Sequence, residues 1–139
     1  MTETAPFSLT RLDHLVLRTG SVDRLVRFYT ELGCTVVREV ARMNLVQLAA
    51  GDSMIDVIGQ DGTPTDRNLD HFALRVDPFD LERILAFCRA RDIEVETPEQ
   101  PLLGADGYGP AVYLRDPDGN RVELKGPPER PRPDRATRT

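Results

Sequence analysis

Two heptapeptides, LDHLVLR at Leu12–Arg18 and LDHFALR at Leu69–Arg75, are nearly the same sequence 57 residues apart. At that offset Leu12, Asp13, His14, Leu17, Arg18 and Asp23 coincide with Leu69, Asp70, His71, Leu74, Arg75 and Asp80. His14 and His71 are the only 2 histidines of the 139-residue chain. An internal repeat constrains a fold more than any local signal does, because each copy must form the same supersecondary unit and the copies must bury a face together.

The likeness extends beyond the heptapeptides. Each reads as a strand, followed by a polar start signal and an apolar segment of helical period. Val22, Leu25, Val26, Tyr29 and Leu32 share one helical face, with Gly33 as the stop; Leu81, Ile84, Leu85 and Cys88 share another. Short β-type runs follow at Thr35–Arg38 and Glu94–Glu96. Each half then closes with a hairpin, NLVQLAAGDSMIDVIG from Asn44 and AVYLRDPDGNRVELKG from Ala111, turning at Gly51-Asp52 and at DPDGN. With a one-residue gap Asp56 aligns with Glu123 and Gly59 with Gly126. The expected fold is therefore α+β, two βαβββ modules in one domain over 9–126: module one about 9–59, a linker over 60–68, module two about 69–126. Residues 1–8 and the proline- and charge-rich 127–139 are expected to be disordered.

Strand alternation predicts where the polar groups point. Leu15, Leu17, Phe72 and Leu74 face the helices, so His14, Val16 and Arg18, with His71, Ala73 and Arg75, face the other side. Asp56 and Glu123 each sit between two apolar neighbours and face that same side. Two imidazoles and two carboxylates converging on one cavity suit a borderline divalent metal such as Zn, Ni, Fe, Co or Mn. Such an ion would also relieve the repulsion between the two carboxylates.

The rest of the sequence narrows the function by exclusion. A net charge of -5 with no basic stripe argues against nucleic acid as the main partner. No apolar run approaches the ~20 residues of a membrane span, and the first ten residues lack the regions of a secretory signal. The cytoplasm is thus the expected location, with Cys34 and Cys88 as free packing residues.

The segments LDHLVLRTGSVDRLVRFYTELG, LDHFALRV and YLRDPDGNRVELKG resemble the vicinal oxygen chelate superfamily: glyoxalase I, methylmalonyl-CoA epimerase, fosfomycin-resistance thiol transferases, extradiol dioxygenases and bleomycin-resistance proteins. The resemblance covers about Leu9 to Gly126. It implies a cupped, barrel-like mixed sheet with the helices outside, and His14, His71 and Glu123 as metal ligands. Asp56 stands where the glyoxalase branch places a fourth ligand, normally Glu. That departure leaves open a four-ligand site or the three-ligand type of the dioxygenases and fosfomycin enzymes. Glu123 and Asp56 are the candidate catalytic bases.

For substrate binding, Arg18 and Arg67 match arginines that grip the glutathione moiety in glyoxalase-type members. Gln60 stands where those enzymes carry asparagine. Each of these three is weighed against a plain surface role. Tyr113 shares the cavity face by alternation. The function the resemblance implies is a metal-dependent, glyoxalase-like lyase or isomerase acting on a small oxygen-rich metabolite, thiol conjugates included. An iron-dependent dioxygenase or thiol transferase, and a metal-free binding or resistance protein, are the alternatives. A homodimer is the expected assembly.

Overall fold

The computed structural model describes residues 4–31, 33–62, 68–115, 117 and 119–135. The first module runs β1 (Ser8–Thr19), α1 (Val22–Glu31), β2 (Thr35–Val40), a 3-10 turn at Ala41–Met43, β3 (Leu45–Ala50) and β4 (Ser53–Gly59). The second runs β5 (Leu69–Asp77), α2 (Leu81–Ala90), β6 (Val95–Glu96), the small hairpin β7 (Leu102–Gly104) and β8 (Gly107–Gly109), then β9 (Ala111–Arg115), β10 (Arg121–Lys125) and β11 (Arg130–Pro131). Both modules thus contain the expected βαβββ path. The loop expected between β6 and β9 holds an extra hairpin. Thr63–Arg67 of the linker, and with it Arg67, lie outside the described residues.

One mixed sheet of 8 strands, in the order β2-β3-β4-β1-β5-β10-β9-β6, contains both modules. Its two halves mirror each other across the antiparallel β1·β5 pair. Each half builds its own core on the helix-covered face. Val22, Leu48 and Val57 form the first, with Leu25, Val26 and Tyr29 of α1 against them. Val76, Ile84, Cys88, Val112 and Leu124 form the second, with Phe87 of α2 and Phe7 ahead of β1 packed on it. Fully burying one such side chain stabilises the fold by roughly 1.5–3 kcal/mol. Asp80 caps α2 by accepting a hydrogen bond from the Arg83 N–H at 3.2 Å.

The opposite, concave face is partly covered by a second sheet of 3 strands in the order β11-β8-β7. Leu103 and Ala105 of its hairpin pack on Met54 of β4, with Val37 and Tyr108 beside them. Residues 127–135, part of the segment expected to be disordered, include a short strand and a buried arginine. Arg130 and Pro131 pair with Tyr108 and Gly107, and Arg132 is buried. The segment has few apolar residues, so composition underrated it; strand pairing, the Arg132 hydrogen bond to Ala105 O and the Arg135–Asp52 ion pair tie it to the body instead. Cys34 and Cys88 are free thiols. Among the described residues no helix is long and apolar enough to cross a membrane.

Candidate metal centre

Register across the sheet brings the polar residues together in two rows. In the first, Arg38 of β2 pairs with Gln47 of β3, Gln47 with Asp56 of β4, Asp56 with Val16 of β1, and Val16 with His71 of β5. In the second, Glu96 of β6 pairs with Tyr113 of β9, Tyr113 with Glu123 of β10, Glu123 with Ala73 of β5, and Ala73 with His14 of β1. Each row starts in one module and ends on the histidine of the other. The alignment of Asp56 with Glu123 inferred from the repeat is thus the alignment of the two rows.

His14 Nε2 and His71 Nε2 both lie 3.1 Å from the same oxygen, Glu123 Oε1. These three residues form a cluster whose potential ligand atoms all fall within 4.8 Å of one another. All three are buried, and all belong to one chain. The other imidazole nitrogens are held identically: Asp13 Oδ2 lies 2.7 Å from His14 Nδ1, and Asp70 Oδ2 lies 2.7 Å from His71 Nδ1. An ionised carboxylate only accepts, so each Nδ1 carries the proton and donates it. A neutral imidazole so held turns a bare Nε2 lone pair toward Glu123, the carboxylate–histidine arrangement that orients metal ligands. A cation there would take one lone pair from each imidazole and one from Glu123, whose Oε2 is buried without a hydrogen-bond partner among the described residues. A donor set of two imidazoles and one carboxylate fits a divalent cation.

Without such an ion, protons take its place. Burial pulls the His14 imidazolium down, but hydrogen bonds to Asp13 and Glu123 and the charges of Glu123 and Asp56 outweigh it and raise its pKa to about 10. Burial pushes Glu123 up, and the two imidazoles outweigh it, leaving its pKa at about 2. Both shifts have a common cause, the hydrogen bonds and opposite charges that the imidazoles and Glu123 offer one another.

Asp56, the fourth sequence candidate, lies outside that cluster. The Gln47 amide N–H donates to its Oδ2 at 3.0 Å, and the Arg38 Nε–H donates to Gln47 Oε1 at 2.6 Å. Its other oxygen, Oδ1, is buried with no hydrogen-bond partner among the described residues. Burial raises the Asp56 carboxyl above its ordinary value, and the like charge of Glu123 adds to that. Asp56, His14, His71, Glu123 and Tyr113 all line one cavity of about 550 Å³. Tyr113 stands edge-on to His71, with ring centroids 5.3 Å apart, and the Arg121 guanidinium lies 3.9 Å from the centroid of its ring.

The other sequence candidates lie elsewhere. Arg18 was expected beside His14 on the cavity face, but its guanidinium pairs with Asp70 at 2.8 Å and does not line the cavity. On β1 the alternation itself holds, Val16 pairing with Asp56 and Arg18 with Ile58 of β4, but the Arg18 guanidinium reaches away to Asp70. Arg18 is linked to the cluster through Asp70, which accepts from Arg18 Nε–H at 2.9 Å and lies 2.7 Å from His71 Nδ1. Gln60 follows β4, donates its backbone N–H to Thr19 O at 2.8 Å and is also outside the cavity lining.

Sequence reasoning passed over four residues that shape the site: Asp13, Asp70, Gln47 and Arg38. The Asp-His dipeptide repeated in both halves was the available signal for the first two. Behind Asp13 the structure continues into the tail. The Ala105 N–H donates to Asp13 Oδ2 at 2.9 Å, and Arg132 Nη1 donates to Ala105 O at 3.1 Å. Asp134 grips the Arg132 guanidinium through both of its oxygens, at 2.7 and 2.9 Å. Gly104 permits this packing, since a Cβ there would meet Asp13 Oδ2 at 2.5 Å.

Residues 11–124 match the family model described as Glyoxalase/Bleomycin resistance protein/Dioxygenase superfamily. Among curated proteins, the chain is 31% identical over 122 residues to biphenyl-2,3-diol 1,2-dioxygenase 3 of Rhodococcus globerulus, a match spanning 83% of this chain and 62% of that one. It is 28% identical over 135 residues to a probable chloroplastic lactoylglutathione lyase of Arabidopsis thaliana, spanning 87% of this chain and 37% of that one. Among solved structures, an extradiol ring-cleaving dioxygenase from B. fuscum superposes with a TM-score of 0.72 at 20% identity, over 92% of this chain and 36% of that one, a likeness of fold. The repeat, the sheet built from it and the family match agree: the chain belongs to the glyoxalase/bleomycin resistance protein/dioxygenase superfamily.

Proposed function

We propose that this protein is a divalent-metal-dependent enzyme that acts on a small molecule bearing two adjacent oxygens, with proton-transfer chemistry of the lyase or isomerase kind. His14, His71 and Glu123 would hold the ion, drawn from Zn, Ni, Fe, Co or Mn. A bound ion supplies Lewis-acid polarisation of substrate oxygens, which acidifies a neighbouring C–H. The observation that carries the reading is Asp56, a buried carboxylate on the wall of the same cavity, outside the ligand cluster, with one oxygen unpartnered.

Asp56 Oδ1 accepts the substrate proton while Gln47 keeps Oδ2 in place, so the base cannot swing toward the ion. Burial raises the basicity of Asp56, which brings it closer to the working range of a general base. Tyr113 and the apolar wall residues Val16, Leu45 and Ile58 keep bulk water from the reacting centre. The similarity to a lactoylglutathione lyase supports this branch of the superfamily.

A second reading, oxidative ring cleavage of a diol, draws on the donor set itself. Two imidazoles and one carboxylate with positions left free are the ligand type of non-haem iron oxygenases. The similarity to a biphenyl-diol dioxygenase points the same way. A metal-free binding protein is disfavoured, because two imidazoles and a carboxylate buried at one point are a donor set suited to a divalent cation.

The deciding experiment loads the purified chain with Ni, Zn, Mn or Fe and offers hemithioacetals and catechols in D₂O. The expected result is an isomerised product carrying solvent deuterium, with Asp56→Asn lowering turnover by about 10²–10⁴-fold. Oxygen-consuming turnover of catechols with Fe alone would replace this reading by the second. Absence of turnover with every metal, together with a melting temperature indifferent to metal, would remove both.

A further inference from the structure

The proposed function leaves the charge of the cavity unexplained. Among the described residues, its charged lining consists of Arg38, Arg42 and Arg121 against Asp56, Asp70 and Glu123. Three cations and three anions cancel, with both imidazoles neutral. A divalent ion held by the cluster would therefore leave the cavity with a surplus of two positive charges. A walled cavity focuses such a field, so its natural occupant is an anion.

The three arginines are not equivalent. Arg121 is already engaged, with Nη1 at 3.6 Å from Asp70, Nη2 at 3.2 Å from Glu96, and its guanidinium over the Tyr113 ring. Arg38 gives its Nε–H to the neutral Gln47 amide, and its guanidinium lies 5.8 Å from the Tyr108 ring centroid. Among the described residues, neither Arg38 nor Arg42 has a carboxylate within ion-pair distance. Both reach the cavity from β2 and the 3-10 turn that follows it. Arg42 is exposed and Arg38 half-buried, whereas the metal cluster lies at the buried end. Apolar side chains, among them Val16, Leu45, Ile58 and Leu102, line the cavity as well.

We propose that Arg38 and Arg42 form a carboxylate-binding subsite at the cavity mouth. The substrate is then a small organic anion with an apolar body, its adjacent oxygens at the metal cluster and its carboxylate at the arginines. A guanidinium presents a planar fork of donors that matches a carboxylate, and Arg38 has its Nη donors unused within the described residues. The same guanidinium fixes the Gln47 amide that holds Asp56, so the group reading the substrate's far end also sets the base at its near end. This inference rests on the metal-centred reading above.

The test is calorimetric titration of the Zn-loaded full chain with catechol and with its 4-carboxylate, 4-acetate and 4-propionate derivatives, which share one chelating pair and differ in where the carboxylate reaches. At least one carboxylated compound is expected to bind tenfold or more tighter than catechol. Arg42→Gln, at an exposed position, and Arg38→Gln are each expected to cut that preference to below threefold, with folding checked by melting temperature. Equal affinity across the series would overturn the subsite while leaving the metal reading standing. A preference that survives in both variants would overturn the assignment to these two arginines. Failure of catechol itself to bind would overturn the metal reading and this inference together.

Discussion

The row Arg38–Gln47–Asp56 in the first module and the row Glu96–Tyr113–Glu123 in the second occupy equivalent places in a duplicated sheet, yet they finish differently. Glu123, one methylene longer than aspartate, reaches both imidazoles at 3.1 Å. Asp56 stays outside the cluster, held at one oxygen by an amide that an arginine orients in turn. Duplication supplied two carboxylates at matching positions, and side-chain length together with the second residue of each row divided their roles. In the proposed reading Glu123 is a ligand, while Asp56 keeps a buried oxygen with no hydrogen-bond partner among the described residues.

The sharpest way to break this contrast is Glu123→Gln. It removes the only carboxylate of the cluster and should abolish both turnover and the rise in melting temperature that metal gives the wild type, measured by thermal scans with and without chelator. Asp56→Asn should instead retain the metal-induced stabilisation while turnover falls by about 10²–10⁴-fold, so the two variants separate ligand from base. Asp56→Glu sharpens the comparison from the other side. The longer arm should add a fourth donor, tightening metal binding in a chelator competition while turnover drops.

The two Asp–His pairs form a second, smaller contrast. Asp13 is fully buried and tied to the Ala105 backbone, whereas Asp70 is half-exposed and shared with Arg18 and Arg121. Asp13→Asn should weaken metal affinity by 10–100-fold, and Asp70→Asn by less, because solvent and two arginines cushion its loss. Smallest of all, Arg132→Gln should lower metal affinity by a few fold with catalytic rate constants preserved, since it loosens Ala105 and only through it Asp13.

Much of this arrangement was legible in the sequence because it is written twice. The repeated heptapeptide gave both histidines, the aligned hairpins gave Asp56 and Glu123, and helical periodicity gave α1 and α2. Alternation worked on strands without irregularities: Glu123 and Tyr113 face the cavity while Val112, Leu114 and Leu124 face α2. It did not reveal where the long Arg18 side chain ends, because its partner Asp70 lies on the neighbouring strand. Arg38 and Gln47 sit on strands of ordinary polarity, and only the register of three neighbouring strands aligns them behind Asp56. The final strand at Arg130–Pro131 has no periodicity to read, since two residues, one of them a proline, become a strand only when another strand is there to pair with.

Both apolar cores lie under the helices, one to each half, while the imidazoles stand at the join between β1 and β5. An ion captured there would act as a rivet across the seam where the two halves of one sheet meet, adding to the β1·β5 pairing that already joins them. Amide hydrogens along β1 and β5 should then exchange with solvent far more slowly once metal is added, whereas those of α1 and α2 should respond much less.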